Sequence, residues 1–214
     1  MSTTPKYEVL YFPIRGRAEQ IRLLLALTGT QFTDTGVADW PNLKPKTPLG
    51  QLPLLIDRSG AEEFVIPQSA AIMRHLARSL GAYGDSEREA VLADVLADTV
   101  QDIRAKFVPI AFAARYNPPA DTVAKYWSEV LPHNVQLLEK LLSRSTKPEA
   151  GFFAGARPTY ADIMVFDLLD GHVTMRPSCL DGSAALKAFM ARIAALPALA
   201  HYLATRRPSE LSAG

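Results

Sequence analysis

A chain of 214 residues, 48% apolar and 21% charged, has the makeup of a globular protein of one large or two modest domains, which excludes fibrous and disordered classes. A formal net charge of +1 gives no overall field to recruit nucleic acid or an anionic membrane, so an anionic ligand must be held by local groups. The single cysteine, Cys179, excludes an intramolecular disulfide framework and fits a reducing compartment. The opening Met-Ser-Thr-Thr-Pro-Lys has no apolar core of signal-peptide length, and no apolar run approaches about 18 residues. The expectation is a soluble, cytoplasmic protein with neither a nucleic-acid nor a membrane partner.

In chain order, Tyr7-Glu8-Val9-Leu10-Tyr11-Phe12 has the aromatic and β-branched composition of a strand, which Pro13 stops. Ile14-Arg15-Gly16 supplies a turn. Ala18, Ile21, Leu24, Leu25 and Thr28 then recur at helical spacing up to Gly29. A strand feeding such a helix opens a βαβ unit, and ligands gather where strands end and helices begin. That mouth holds Tyr11 and Arg17. A cation in the first turn of a helix opposes the macrodipole by roughly 0.3 to 1 kcal/mol, so Arg17 reads as a group placed for an anion.

Gln31-Phe32-Thr33 reads as a second short strand, and Asp39 to Pro48, with Trp40 and three prolines, as a loop or broken helix. Leu52 to Ile56 and Phe64-Val65-Ile66 flank a turn at Asp57-Arg58-Ser59-Gly60, the pattern of a hairpin. Pro53 cannot sit in a plain central strand and shapes the strand's entry, with a cis bond as one way to do so. Pro67-Gln68-Ser69 leads into a helix ending near Gly81.

From Asp85 onward the texture is helical. Ser86 to Ala113 and Thr122 to Leu142 each hold one long helical period, and Ala184 to Ala194 and Ala198 to Thr205 supply further helices. Thr159-Tyr160-Ala161-Asp162 is a capping-box variant that opens an apolar helix over Ile163 to Leu169. The predicted organisation is an α/β domain over 1–82 and an all-helical domain over 83–208. Residues 209–214, following Pro208, read as a loose tail.

These motifs resemble those of the cytosolic glutathione transferases, over nearly the whole chain. Tyr11-Phe12-Pro13-Ile14-Arg15-Gly16-Arg17 is similar to the Y-F-x-x-R-G-R signature of the tyrosine-type classes, Gly50-Gln51-Leu52-Pro53 to the family's cis-proline segment, and Gln68-Ser69 to its Q-S helix start. Ile72 to Leu76 through Gly84, Arg104 to Phe107 and Cys179-Leu180-Asp181 are similar to the pi class, whereas the Asp39-Trp40-Pro41 loop is closer to the sigma class. The resemblance implies a thioredoxin-like, glutathione-binding N-terminal domain. It also implies a helical C-terminal domain that forms the hydrophobic substrate pocket and part of a dimer interface.

What the family does with these positions carries over residue by residue. The resemblance makes Tyr11 the catalytic hydrogen-bond donor to the sulfur of glutathione, with Tyr7 on the same strand as the competitor. Taken alone, a strand-end tyrosine is more often packing. Gln68 and Ser69 correspond to the site of the γ-glutamyl carboxylate; free N–H groups at a helix start plus a hydroxyl make an anion site in any fold. Leu52 corresponds to the backbone that pairs with the cysteinyl part, with Pro53 turning it outward. Trp40 and Lys44 correspond to the loop that contacts the glycyl end, Lys46 being the near alternative to Lys44, and Gln51 and Arg17 complete the set.

Asp102 corresponds to an acid that reaches the partner's glutathione amine in a homodimer. By itself it is a solvated acid on a helix. Leu49 stands where pi-like chains insert an aromatic key, so the expected dimer relies more on polar contacts, with Arg74, Arg78 and Asp94 as contributors by analogy. Phe12, Ile14 and Phe112 are candidates for the wall of the electrophile pocket. Cys179 reads as structural, and His75, His133, His172 and His201 lack metal-ligand spacing, so no metal is expected. The resemblance therefore implies a transferase conjugating glutathione, its co-substrate, to hydrophobic electrophiles. The alternatives are a sigma-like glutathione-dependent isomerase and a non-catalytic ligand-binding or structural relative.

Overall fold

The computed structural model describes residues 5–211, which fall into two compact units. The first comprises residues 5–82 together with Leu196–Glu210; the second comprises Tyr83–Ala195 with Leu211.

In the first unit, β1 (Tyr7–Tyr11) pairs in parallel with β2 (Phe32–Gly36), Tyr7 opposite Phe32 and Tyr11 opposite Gly36. Antiparallel pairing of β1 with β3 (Leu54–Asp57), and of β3 with β4 (Phe64–Pro67), completes a mixed sheet of order β2-β1-β3-β4. Tyr7, Val9 and Tyr11 alternate into the core, the period-two signature of a half-buried strand. Helix α1 (Glu19–Leu27) buries Ile21, Leu24 and Leu25, and after the short α2 (Trp40–Leu43), helix α3 (Ser69–Ser79) buries Ile72, Met73 and Leu76 against the same unit. The Leu52-Pro53 bond is cis, and β3 begins one residue later.

Three expectations need correction here. Helix α1 starts at Glu19, not before Arg17, which lies in a 3-10 turn over Gly16–Ala18. The first turn of α1 thus presents an acid to the positive end of the dipole. Second, the last helix, Pro197–Thr205, packs with the first unit. The Tyr202 hydroxyl donates to Glu19 Oε2 at 3.0 Å, and Arg206 meets Glu19 Oε1 at 3.4 Å, which gives the buried Glu19 carboxylate partners from the far end of the chain. Third, the tail is not loose as far as it is described: Glu210 accepts hydrogen bonds from Arg15 and Gly16. Residues 212–214 lie outside the described residues.

The second unit is helical: α4 (Glu87–Ala111), α5 (Ala113–Tyr116), α6 (Ala120–Lys125), α7 (Leu131–Leu142), α8 (Tyr160–Met175) and α9 (Ala184–Ala194). The period expected over Thr122 to Leu142 is interrupted by a π turn at Tyr126–Val130. Pro132, in the first turn of α7, has no N–H with which to close a regular helical bond, and the chain widens just before it. Helix α8 is buried nearly all round and begins at the capping box of Thr159 and Asp162. Among the described residues no single helix is long and apolar enough to cross a membrane.

Beside α8 lies a buried ring cluster. His172 stacks on Phe107 at 3.7 Å between centroids, its Nε2 is 2.7 Å from the Tyr126 hydroxyl, and its Nδ1 is 2.7 Å from the Leu168 carbonyl. The neutral ring satisfies both: Nδ1–H donates to the carbonyl and Nε2 accepts from the phenol. Burial holds the His172 pKa down at about 4. Because the unfolded chain takes up that proton near pH 6.5, the stability held at neutral pH is lost as pH falls from there toward 4. Between pH 7.5 and 5 the loss from this one group is about 2 kcal/mol. Urea unfolding at the two values checks it. A drop of that order is expected, largely removed in His172→Gln; an equal slope in the variant contradicts the assignment.

Candidate functional site

The first unit contains a cavity of about 410 Å³ lined by Arg17, Gln51, Leu52, Pro53, Gln68 and Ser69. Each wall has a local cause. The cis bond before Pro53 turns the Gln51-Leu52 segment at the entry to β3. Gln68 sits at φ +71°, a left-handed conformation that ends β4 and starts α3 abruptly, and its amide donates to Gln51 Oε1 at 3.1 Å. The N-terminus of α3 carries no side-chain cap, which leaves its first N–H groups without that partner, and its first residue, Ser69, lines the cavity together with Arg17. Free helical donors, a hydroxyl and a guanidinium around one space suit a carboxylate.

Tyr11 is buried at the end of β1 and does not line that cavity itself, but it is tied to a residue that does. The Arg17 N–H donates to the Tyr11 hydroxyl at 3.2 Å, leaving the phenolic proton available for donation. Burial pushes the Tyr11 phenol up, against the lowering effect of Arg17, so the group is a neutral donor at physiological pH. Gly16, at φ +41°, packs on the ring: a Cβ there would stand 2.7 Å from the phenol oxygen. Tyr7 lies at the other end of the strand, with its hydroxyl bonded to Ser59 and Ser79, and burial likewise raises its pKa.

Phe12 follows β1 and meets Tyr11 at 5.5 Å and Trp40 at 5.7 Å, both edge-on. Trp40 opens α2, whose N-cap Asp39 accepts from the Asn42 N–H. Lys44 runs its aliphatic stem beside Gly50, the residue before Gln51, within 3.6 Å of a Cβ built there; no such approach involves Lys46. Neither Trp40 nor Lys44 lines the cavity.

The N-terminal domain model of the glutathione S-transferases matches residues 7–78, and the C-terminal domain model matches residues 101–206. The chain is 37% identical over 205 residues to glutathione S-transferase P of Bos taurus, covering 94% of this chain and 93% of that one. It is 38% identical over 201 residues to glutathione S-transferase P of Caenorhabditis elegans, covering 93% and 92%. The solved pi-class glutathione S-transferase of Onchocerca volvulus superposes with a TM-score of 0.84 at 34% identity, over 94% of this chain and 93% of that one. The chain belongs to the glutathione S-transferases.

This transferase is pi-like, and its thioredoxin-like first unit and helical second unit are those of the family. The remaining candidates lie in different places. Asp102 is exposed on α4, and Phe112 is the half-buried C-cap of that helix. Ile14 is half-buried in the turn after β1. Leu49, more than half exposed, follows α2 in the first unit. Asp94 accepts from the hydroxyls of Tyr83 and Tyr160 within the second unit, which ties it to that unit's own packing. Cys179 is half-buried, and burial pushes its thiol up to about 11, so it is a poor nucleophile. Among the described residues no group of three or more His, Cys, Asp or Glu could hold a metal ion.

Two groups that sequence reading missed hold the turn next to Tyr11: Arg22, whose Nη1 donates to the carbonyls of Ile14 and Arg15, and Glu210. Arg22 is visible in the sequence only as a cation on an otherwise apolar helix. Glu210 carries no periodic or motif signal.

Proposed function

We propose that this transferase seats glutathione in the cavity of its first unit, stabilises its thiolate through the Tyr11 hydroxyl and joins the sulfur to hydrophobic electrophiles. The observation that carries the reading is the joining of an anion site to a phenol donor. The uncapped start of α3 with Ser69 shares a cavity with Arg17, and the backbone of Arg17 holds the Tyr11 oxygen. In this assignment the γ-glutamyl carboxylate lies at Gln68 and Ser69 and the cysteinyl backbone against Leu52 beside cis-Pro53. Gln51 and Arg17 flank the peptide, and Trp40 and Lys44 take the glycyl end. The Lys44 stem beside Gly50 favours it over Lys46.

Phe12, Ile14 and Phe112 are assigned to the electrophile's apolar wall, and Asp102 to the neighbouring site of a homodimer, both by similarity to the family. The single cysteine fits a cytoplasmic enzyme. Loss of free thiol during incubation with a generic aryl halide tests the reaction type. Conjugation consumes one glutathione and releases one halide ion per product formed. Turnover of a β,γ-unsaturated ketone to its conjugated isomer without thiol loss, and no reaction with the halide, contradicts transfer and indicates isomerisation, and binding with neither reaction indicates a non-catalytic relative.

A further inference from the structure

The turn beside Tyr11 is held from two sides. On its carbonyl side, the buried Arg22 donates through Nη1 to Ile14 O at 3.1 Å and to Arg15 O at 3.2 Å. On its amide side, Glu210 takes both adjacent N–H groups, Arg15 N to Oε2 at 3.1 Å and Gly16 N to Oε1 at 2.8 Å. The segment carrying Glu210 is itself fastened: Arg15 Nε donates to the Arg207 carbonyl at 2.8 Å, and the Arg207 guanidinium pairs with Asp34 on β2. The carboxylate is therefore set on the turn by contacts other than its own. One residue further on, the Arg17 N–H holds the phenol oxygen, and Gly16 lies against the ring with no room for a Cβ.

We propose that Glu210 is a positioning residue for Tyr11: by gripping the Arg15 and Gly16 amides it fixes the turn whose next amide aims the catalytic hydroxyl. The proposal rests on the reading of Tyr11 given above. A carboxylate accepting two neighbouring N–H groups restrains the plane of the peptide between them, and a tilt of that plane moves the Arg17 N–H off the phenol oxygen. The C-terminal segment thus acts on the reaction without touching either substrate, and its contribution appears as ionisation and turnover rather than as binding of the peptide.

The charged groups facing Tyr11 are Arg17, Arg22 and Glu210, so removing Glu210 changes charge as well as geometry. Two variants separate the effects. Glu210→Gln and Glu210→Ala lose the same charge, but only the glutamine retains an oxygen acceptor for one of the two amides. The readout is the ultraviolet thiolate band of bound glutathione titrated against pH in the full-length protein, with circular dichroism melting to establish that each variant is folded.

The expected result is an apparent thiol pKa about half to one unit higher in Glu210→Ala than in Glu210→Gln, with turnover at neutral pH lowered in the same order. Equal thiol pKa values in the two variants, whatever their melting temperatures, overturn the proposal and leave Tyr11's role intact. A thiolate band that persists unchanged in Tyr11→Phe removes the underlying reading, and Glu210's role with it.

Discussion

Tyr11→Phe is expected to lower conjugation turnover at neutral pH by about an order of magnitude or more while leaving glutathione affinity within about threefold of wild type. The size follows from two opposed effects. A hydrogen bond to a charged sulfur, worth about 1.5 to 3 kcal/mol, can lower a thiol pKa near 8.5 by about two units and raise the ionised fraction at pH 7 roughly twentyfold. The same shift makes each thiolate about six- to tenfold less nucleophilic. Ionisation alone would therefore be worth only about threefold, and the expected order of magnitude requires that the hydroxyl also hold the sulfur in line with its electrophile.

The two contributions part company at high pH. If ionisation were all, the variant would overtake wild type above about pH 7.5 to 8, once roughly a tenth of its more nucleophilic sulfur is charged. If the hydroxyl also orients the sulfur, wild type stays ahead throughout. Steady-state rates from pH 6 to 9.5 separate these cases, and unchanged turnover across the range removes Tyr11 from the chemistry.

Asp162→Ala is expected to cost about 3 to 5 kcal/mol, a large part of the roughly 5 to 15 kcal/mol that holds a domain folded. Asp162 has no solvent exposure, and its two oxygens accept from Phe153 N at 2.8 Å, Thr159 N at 2.8 Å and Thr159 Oγ1 at 2.7 Å. Burial pushes its carboxyl upward and these donors oppose the push. Truncation strands two backbone N–H groups and a hydroxyl inside the second unit, each carrying its own desolvation cost. The start of α8, which is the core of that unit, loses its cap at the same time. Asp162→Asn keeps one acceptor and should recover about half the loss. Chemical denaturation of the three proteins measures this, and a change under about 1 kcal/mol in the alanine variant contradicts the account.

The features legible in the chain were those whose cause is local. Thr159 and Asp162 announce their helix because a capping box is a matter of four consecutive residues. Pro53 before an apolar run forces an irregular strand entry, and Gln68-Ser69 marks a helix start, so the cavity's walls could be named from short stretches. The start of α1 was placed too early because Ala18 continues the apolar period while its backbone belongs to the 3-10 turn. Pairing decides that boundary, through Arg22 on the turn's carbonyls and Glu210 on its amides.

The last helix lies within the residues 101–206 matched by the family's C-terminal domain, as its sequence suggests, yet it packs with the first unit, which no local pattern reveals. Its ties to Glu19, through Tyr202 and Arg206, join residues more than 180 positions apart, and no window of sequence contains both partners. Phe112 and Asp102 rest on similarity alone, since neither has a local pattern that separates a functional side chain from an ordinary helical one.

Calorimetric titration of glutathione into the folded protein, beside Ser69→Ala, tests the central claim most directly. One site per chain is expected, with affinity reduced about tenfold or more when the Ser69 hydroxyl is removed from the start of α3. No heat of binding at millimolar glutathione, or equal affinity in the two proteins, would contradict the placement of the peptide in this cavity.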